Sequence, residues 1–453
     1  MPLISGLLLA AFALCQPPAL DAELAARTRA WFDARRQRED RAPGVSDELV
    51  ATRHREAFAA WARAARDERL LRDGPRLADL FRRGMDYAPI VGDGELRPWA
   101  DEAGVLVRVP QRYAPGRAWP TLVAVFDPES ESGEVVAQRA LGLVEPDWIV
   151  VTVESERLAS FVRAPVVPRL TTGDGLRLAA SALVWAVGPP ALAVALWRLA
   201  FEATVGPAAV VDQRDLARGL FALLGGVQRR LHLDRDRLVL ACSGTAAQVG
   251  VRVVATAPDR FAGLVLWEPR AAPAGQIDNL GLVPILVVGE GPSSAATTTH
   301  SMLAEVNEAT VLRSWEAQSA AVRAWVRGQR RDLFRPRVAF VMEDEAIVDG
   351  FWLKIDAADF SSAPAERRAG IEAIADRATN TITVTAKHVD QFTLLLNDAI
   401  VDLDRAIVID INGMKATLRR VRSFEFLLES VFQRFDPGYV FTTAITLAVP
   451  RRG

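Results

Sequence analysis

Six short runs between about residues 104 and 330 constrain this chain most. They are Val105–Val109, Thr121–Phe126, Trp148–Val153, Leu238–Cys242, Leu264–Trp267 and Ile285–Val288, and most are almost continuously apolar. A half-exposed strand alternates apolar and polar residues, so an unbroken apolar run has to be covered on both faces. Helical segments separate several of these runs. That pattern predicts βαβ units and a mostly parallel sheet with helices on both sides, an α/β fold.

The flanks have a different texture. With 453 residues the chain exceeds one ordinary domain. Residues from about 20 to 85 are rich in Ala, Arg, Leu and Glu and read as helical, with Ser46 as the N-cap of a segment running through Trp61. Pro89, Gly92, Gly94 and Pro98 mark a boundary. After Arg330-Arg331-Asp332 the runs Phe351–Ile355, Ile371–Ala375, Thr381–Thr385, Phe392–Leu396, Ile407–Ile411 and Tyr439–Ala448 alternate or are β-branched. Asn412-Gly413 between two runs is a hairpin signal, and a helix over Phe424–Phe432 interrupts the strands. The expected organisation is a signal peptide at 1–18, a helical region at 19–95, an α/β domain at 96–332 and a mainly antiparallel β domain at 333–453.

Charge and composition exclude several functions. Lys plus Arg number 54 against 56 acids, a net charge of −2, so no basic surface for nucleic acid is expected. Two cysteines rule out a disulfide scaffold and a cysteine zinc site, and the four histidines show no metal-ligand spacing. The run Leu3–Cys15 followed by Gln16-Pro17-Pro18 resembles a secretory signal, which predicts a secreted, periplasmic or envelope-associated protein. Leu178–Trp197 lacks charge and has the length of a membrane span, but Gly188-Pro189-Pro190 breaks it. Two short buried helices are expected there, with membrane association the less favoured reading.

Three segments resemble the α/β-hydrolase fold, in its secreted esterase, polyester-depolymerase and peptidase-like branch. They are RVPQRYAPGRAWPTLVAVF (108–126), LHLDRDRLVLACSGTAAQVGVRVVATAPDRFAGLVLWEP (231–269) and VPILVVGE (283–290). The β region after 333 looks like the domain that often follows such hydrolase domains. The resemblance implies four catalytic parts, and each departs from the family pattern. The nucleophile elbow reads Cys242-Ser243-Gly244-Thr245-Ala246, which aligns Gly244 with the nucleophile and leaves Ser243 one residue early. The oxyanion turn reads Asp127-Pro128-Glu129, where proline lacks a donor and two carboxylates oppose an oxyanion. The acid position falls at Gly289-Glu290-Gly291-Pro292, with Glu290 or Glu268 as substitutes. No histidine follows the last strand, Ala309–Leu312, until His388, and His300 lies one element too early. A serine without an imidazole partner is scarcely ionised at neutral pH.

Cys242 sits where a strand end is buried, Gly289 and Gly291 do not form a nucleotide fingerprint, and Glu343-Asp344-Glu345 lacks calcium-loop spacing. No cofactor or metal is expected. The reading is an exported, catalytically degenerate hydrolase-fold scaffold, or a binder of a small molecule, polymer or peptide. Its cleft is expected near Asp127, Ser243, Gly244, Glu268 and Glu290. The alternatives are an active serine ester or peptide hydrolase using Ser243 with His300, and a membrane-anchored interaction protein.

Overall fold

A computed structural model describes residues 18–39, 45–64, 68–85, 87, 89–99, 102–129, 132–161, 213–270, 278–289, 295–342, 347–358 and 368–450. Leu3–Cys15, Leu178–Trp197, Glu290 and Glu343-Asp344-Glu345 lie outside the described residues. No described helix is long and apolar enough to cross a membrane.

Four helices open the described chain: α1 (Pro18–Glu39), α2 (Asp47–Ala64), α3 (Glu68–Arg72) and α4 (Gly74–Gly84). Ser46 caps α2, its Oγ accepting from Leu49 N at 3.1 Å, as the sequence suggested. Their apolar faces meet around Trp61, which stacks on Phe81 at 5.4 Å and donates its indole N–H to Thr28 Oγ1 at 2.8 Å. This core also takes in Leu427, Leu428 and Val431 of α10 (Phe424–Arg434), so the first and last helices of the described chain share one interior.

The middle unit follows as β1 (Leu96–Trp99), β2 (Glu102–Arg108), β3 (Trp119–Phe126), α5 (Gly133–Leu143), β4 (Ile149–Glu154), a 3₁₀ segment (Ser155–Phe161) and α6 (Gln213–Arg230). It continues through β5 (Leu233–Ser243), α7 (Ala247–Thr256), β6 (Gly263–Trp267), β7 (Ile285–Val288), α8 (Ala295–Val306), β8 (Val311–Arg313) and α9 (Trp315–Gly328). The eight strands lie in the order β1-β2-β4-β3-β5-β6-β7-β8, antiparallel at β1–β2 and β2–β4 and parallel from β4 onward. All eight residues of β3 and all five of β6 are buried, because helices cover both faces. One face packs under α6, α7 and α8 around Leu220, Val254 and Leu303; the other packs under α5 and α9 around Val136, Ala140 and Val322. From β3 the chain crosses to β4 on one side and later to β5 on the other. This reversal opens a crevice between the carboxyl ends of β3 and β5, where open α/β sheets bind ligands.

The C-terminal strands form two sheets, β10-β11-β14-β17 and β16-β15-β13-β12-β9, over a shared core that includes Phe340, Trp352 and Phe392. The strands are β9 (Arg337–Val341), β10 (Asp349–Gly350), β11 (Leu353–Ala358), β12 (Gly370–Asp376), β13 (Thr381–Lys387), β14 (Val389–Leu396), β15 (Ile407–Ile411), β16 (Met414–Leu418) and β17 (Thr443–Ala448). Pairing is antiparallel except at β13–β15. Asn412 and Gly413 have φ of 50° and 91° and join β15 to β16, the two-residue turn that their pairing anticipates. Two boundaries differ from expectation. Phe351, at φ 55°, turns the chain between β10 and β11, and Tyr439–Thr442 precede β17 because Tyr439 is buried against Phe441.

A buried ionic layer ties the three parts together. Arg331, its side chain 2% exposed, bonds Asp236 at 2.8 Å and Asp436 at 2.7 Å. Arg434 reaches Asp259 at 2.8 Å and Asp349 at 2.5 Å, while Arg82 of α4 lies 3.5 Å from Asp236. Arg331–Asp436, Arg434–Asp259 and Arg82–Asp236 join different parts of the chain, so each of these three pairs fixes one part against another.

Candidate functional site

The carboxyl ends of β3, β5 and β6 bring together Asp127, Ser243, Gly244, Thr245 and Glu268. Ser243 ends β5 in extended conformation (φ −114°, ψ 150°), in register with Trp267 of β6. Strand residues alternate between faces. Ala241 belongs to the α5–α9 side and Cys242 to the α6–α7 side, so Ser243 falls on the α5–α9 side, where it is 7% exposed. The sharp change of direction comes one residue later. Gly244 has φ +58°, a region costly for residues with a Cβ, and leads through a 3₁₀ turn into α7. The elbow apex therefore has no side chain, and the neighbouring serine hydroxyl still belongs to the strand.

Asp127 bridges the two turns of the crevice. Its Oδ1 accepts from Glu129 N–H at 3.0 Å, and its Oδ2 accepts from the Thr245 hydroxyl. Pro128 has no N–H to offer. The amide after β3 is thus engaged by a carboxylate of its own turn, and that carboxylate reaches the residue after the elbow. Thr245 was not foreseen in this role. A hydroxyl residue one place after the elbow, combined with Asp-Pro after β3, was the available signal.

Glu268, expected as a substitute acid, sits beside the elbow at φ 42°, its N–H held by Val288 O at 2.7 Å. Its carboxylate faces Arg139 of α5 at 3.5 Å, and Arg139 lies 5.3 Å over the Trp267 ring. The side chain is about half exposed, a surface pair of small energetic weight. Glu290, the other acid, lies outside the described residues.

His300 does not join this group. It lies on α8 with Nε2 3.3 Å from Thr310 O, just before β8. Val311 registers through Leu286 and Val265 with Ala241. Three strand spacings, roughly 14 Å, therefore separate that point from β5, far beyond hydrogen-bond reach. The Ser243–His300 pairing that the alternative hydrolase reading needs is not made, because α8 packs along the sheet edge. All four histidines are described, and the other three lie elsewhere. His54 on α2 packs against Trp31 of α1, and His388 occupies a turn between β13 and β14. His232 stacks on Tyr87 at 4.2 Å before the start of β5, where burial lowers its pKa and keeps it neutral.

Cys242 faces Gly250 of α7, where even a Cβ would come within 2.5 Å of the sulfur. Burial pushes the thiol far above its ordinary range. Iodoacetamide should modify Cys242 only on unfolding, as peptide mapping of native and denatured protein would show; rapid labelling of the native chain would contradict the packing. No group of three or more His, Cys, Asp or Glu suited to a metal ion occurs among the described residues.

No protein-family model and no curated protein matches the chain. Solved structures do match, at low similarity. A thermostable esterase is 12% identical over 53% of this chain and 64% of its own, with a TM-score of 0.33. A ferulic acid esterase from Anaeromyces mucronatus is 10% identical over 54% of this chain and 89% of its own, with a TM-score of 0.32. S-formylglutathione hydrolase from Staphylococcus aureus is 9% identical over 53% of this chain and 98% of its own, with a TM-score of 0.31. By its own strand order, its two antiparallel leading pairs and its crossovers onto both faces, the middle unit of this chain has an α/β-hydrolase fold.

Proposed function

We propose that the α/β unit is a hydrolase-fold scaffold without ester or peptide turnover, exported from the cytoplasm, whose crevice holds a small molecule, polymer or peptide. The observation that carries this reading is the Asp127 carboxylate, which accepts from both turns of the crevice. An oxyanion forming about 4 Å from a carboxylate meets a repulsion of about 4 kcal/mol at an effective dielectric of 20. That alone removes roughly a thousandfold in rate. The bare elbow at Gly244 and the distance of His300 support the same reading, since the apex carries no side chain and no imidazole stands beside it. Export rests on the Leu3–Cys15 run.

The rival reading is an active serine hydrolase. It draws on the placement of Ser243 at the carboxyl end of β5, one residue before the turn. Hydrolysis of p-nitrophenyl butyrate separates the two. The scaffold reading expects equal, background rates for wild type and Ser243→Ala, and no adduct with a fluorophosphonate probe. A rate that falls to background in Ser243→Ala, or a phosphonylated Ser243 peptide, establishes the hydrolase instead.

A further inference from the structure

The opposite, amino edge of the sheet carries a second cavity. Arg235 near the start of β5 and Arg260 after α7 meet α6 and the end of α10 around a space of about 420 Å³. That is the size of a small-molecule site. It lies roughly 30 Å down β5 from the elbow, at 3.3 Å per residue. Five arginines line it, Arg35 and Arg229 among them, and no Asp or Glu does among the described residues.

Their charges are not equally satisfied. Arg434 bonds Asp259 and Asp349, and Arg35 bonds Glu429 at 3.1 Å. Arg235 is 8% exposed, yet its Nε is buried without an acceptor, and no described residue accepts from its guanidinium. Burial above all, with Arg331, Arg260 and Arg434 nearby and Asp436 opposing them, pushes Arg235 down to about 10. The Nε of Arg260 is likewise buried without an acceptor, and its guanidinium lies 4.5 Å over the Phe221 ring. Buried cations without hydrogen-bond acceptors are costly. Here the buried Arg235 and the partly buried Arg260 border one cavity.

The wall is also rigid. Phe435 ends α10 in the left-handed region at φ 47°, its N–H bonded to Phe432 O at 3.0 Å, and the buried Gln228 amide donates to Phe435 O. A fixed helix end and two unfilled guanidinium forks make a pre-organised anion receptor.

We propose that this cavity binds a phosphoryl group, held by Arg235 and Arg260, with the ligand's apolar body against Phe221 and Phe435. A dianion with three or more outward oxygens can engage two forks at once, whereas one carboxylate offers two oxygens. The ligand would bridge α6 and β5 to α10 and so bind the middle unit to the C-terminal part.

Calorimetric titration of the full chain with inorganic pyrophosphate tests this directly, with phenyl phosphate and succinate as further arms. Saturable binding at one site per chain is expected, with a raised unfolding midpoint, at least tenfold weaker in Arg260→Gln and Arg235→Gln. Phenyl phosphate should bind more tightly than inorganic phosphate if the rings receive the apolar part. The proposal fails if pyrophosphate shows no saturable binding at millimolar concentration, if both variants that retain wild-type circular dichroism also retain wild-type affinity, or if succinate binds as well as pyrophosphate. The wild-type titration decides even if Arg235→Gln does not fold.

Discussion

Arg331→Ala is expected to lower the stability of the folded chain by about 3–5 kcal/mol, the cost of leaving a buried charge without its partner. The side chains of Arg331 and Asp436 are 2% and 3% exposed, so water cannot replace the lost pair. Arg331 also donates to Asp259 O at 3.1 Å and to Asp236. Because these acceptors come from the α/β unit and from beyond α10, the substitution should loosen one part from the other as well as lower the unfolding midpoint. Chemical denaturation followed by near-ultraviolet circular dichroism, with limited proteolysis, checks both effects. An unchanged midpoint would refute the structural role of the layer. In Arg331→Met with Asp436→Leu both charges are gone, and much of the loss should be recovered.

The same pair sets a pH dependence. Burial pushes the Asp436 carboxyl up, but Arg331 and Arg235 outweigh it and hold the group below the usual carboxylate range. A carboxylate depressed in the folded state contributes stability above its unfolded value, near 3.9, and that contribution is lost as the pH falls further. The gap between wild type and Asp436→Asn is therefore expected to be full at neutral pH and to close progressively below about pH 4.

Gly219→Ala should destabilise by about 3 kcal/mol, the upper end of ordinary overpacking. Helix α6 crosses the 3₁₀ segment so closely that a Cβ at Gly219 would stand 1.7 Å from Leu158 O and 2.5 Å from its carbonyl carbon. No rotamer relieves a clash with backbone, so the helix has to move. The gain in helix propensity, up to about 1 kcal/mol, is too small to compensate. Gly226→Ala on the same helix is the control, since beyond the neighbouring helix backbone nothing lies within 4 Å of its added Cβ. There only the propensity term acts, and a gain of about 0.5–1 kcal/mol is expected. Thermal unfolding of the two variants should move in opposite directions; a shared direction would mean the contact at Leu158 is not tight.

The layered sheet was legible because β3, the Leu238–Cys242 stretch of β5, β6 and β7 are apolar without alternation, a pattern that burial on both faces enforces. Asn412-Gly413 was legible because a two-residue hairpin turn needs positive φ at both positions. The elbow was placed by spacing alone, and the backbone turns at Gly244. What remained hidden depends on long-range contact. β1 was overlooked because Leu96–Trp99 includes Arg97 and Pro98 and finds its partner only by pairing with β2. Pairing across the sheet brings Asp127 to Thr245, 118 positions apart. Similarly, Arg235 and Arg260 read as ordinary charges within DRDR and PDRF until α10 closes over them. His300 stays out of the crevice because α8 packs beside β8 at the sheet edge, three strands from β5, a placement set by strand order and not by sequence proximity.

The interior shared by α1–α4 and α10 has a consequence for biogenesis. Helices α1–α4 leave the ribosome before the α/β unit, yet Leu427, Leu428 and Val431, which complete their packing, are made only after that unit and strands β9–β16. Through that interval Trp31, Phe32 and neighbouring side chains present an uncovered greasy surface, a natural target for holdase chaperones. A polypeptide stopped before Phe424 would keep that surface permanently, and its fate would be aggregation rather than a smaller folded protein.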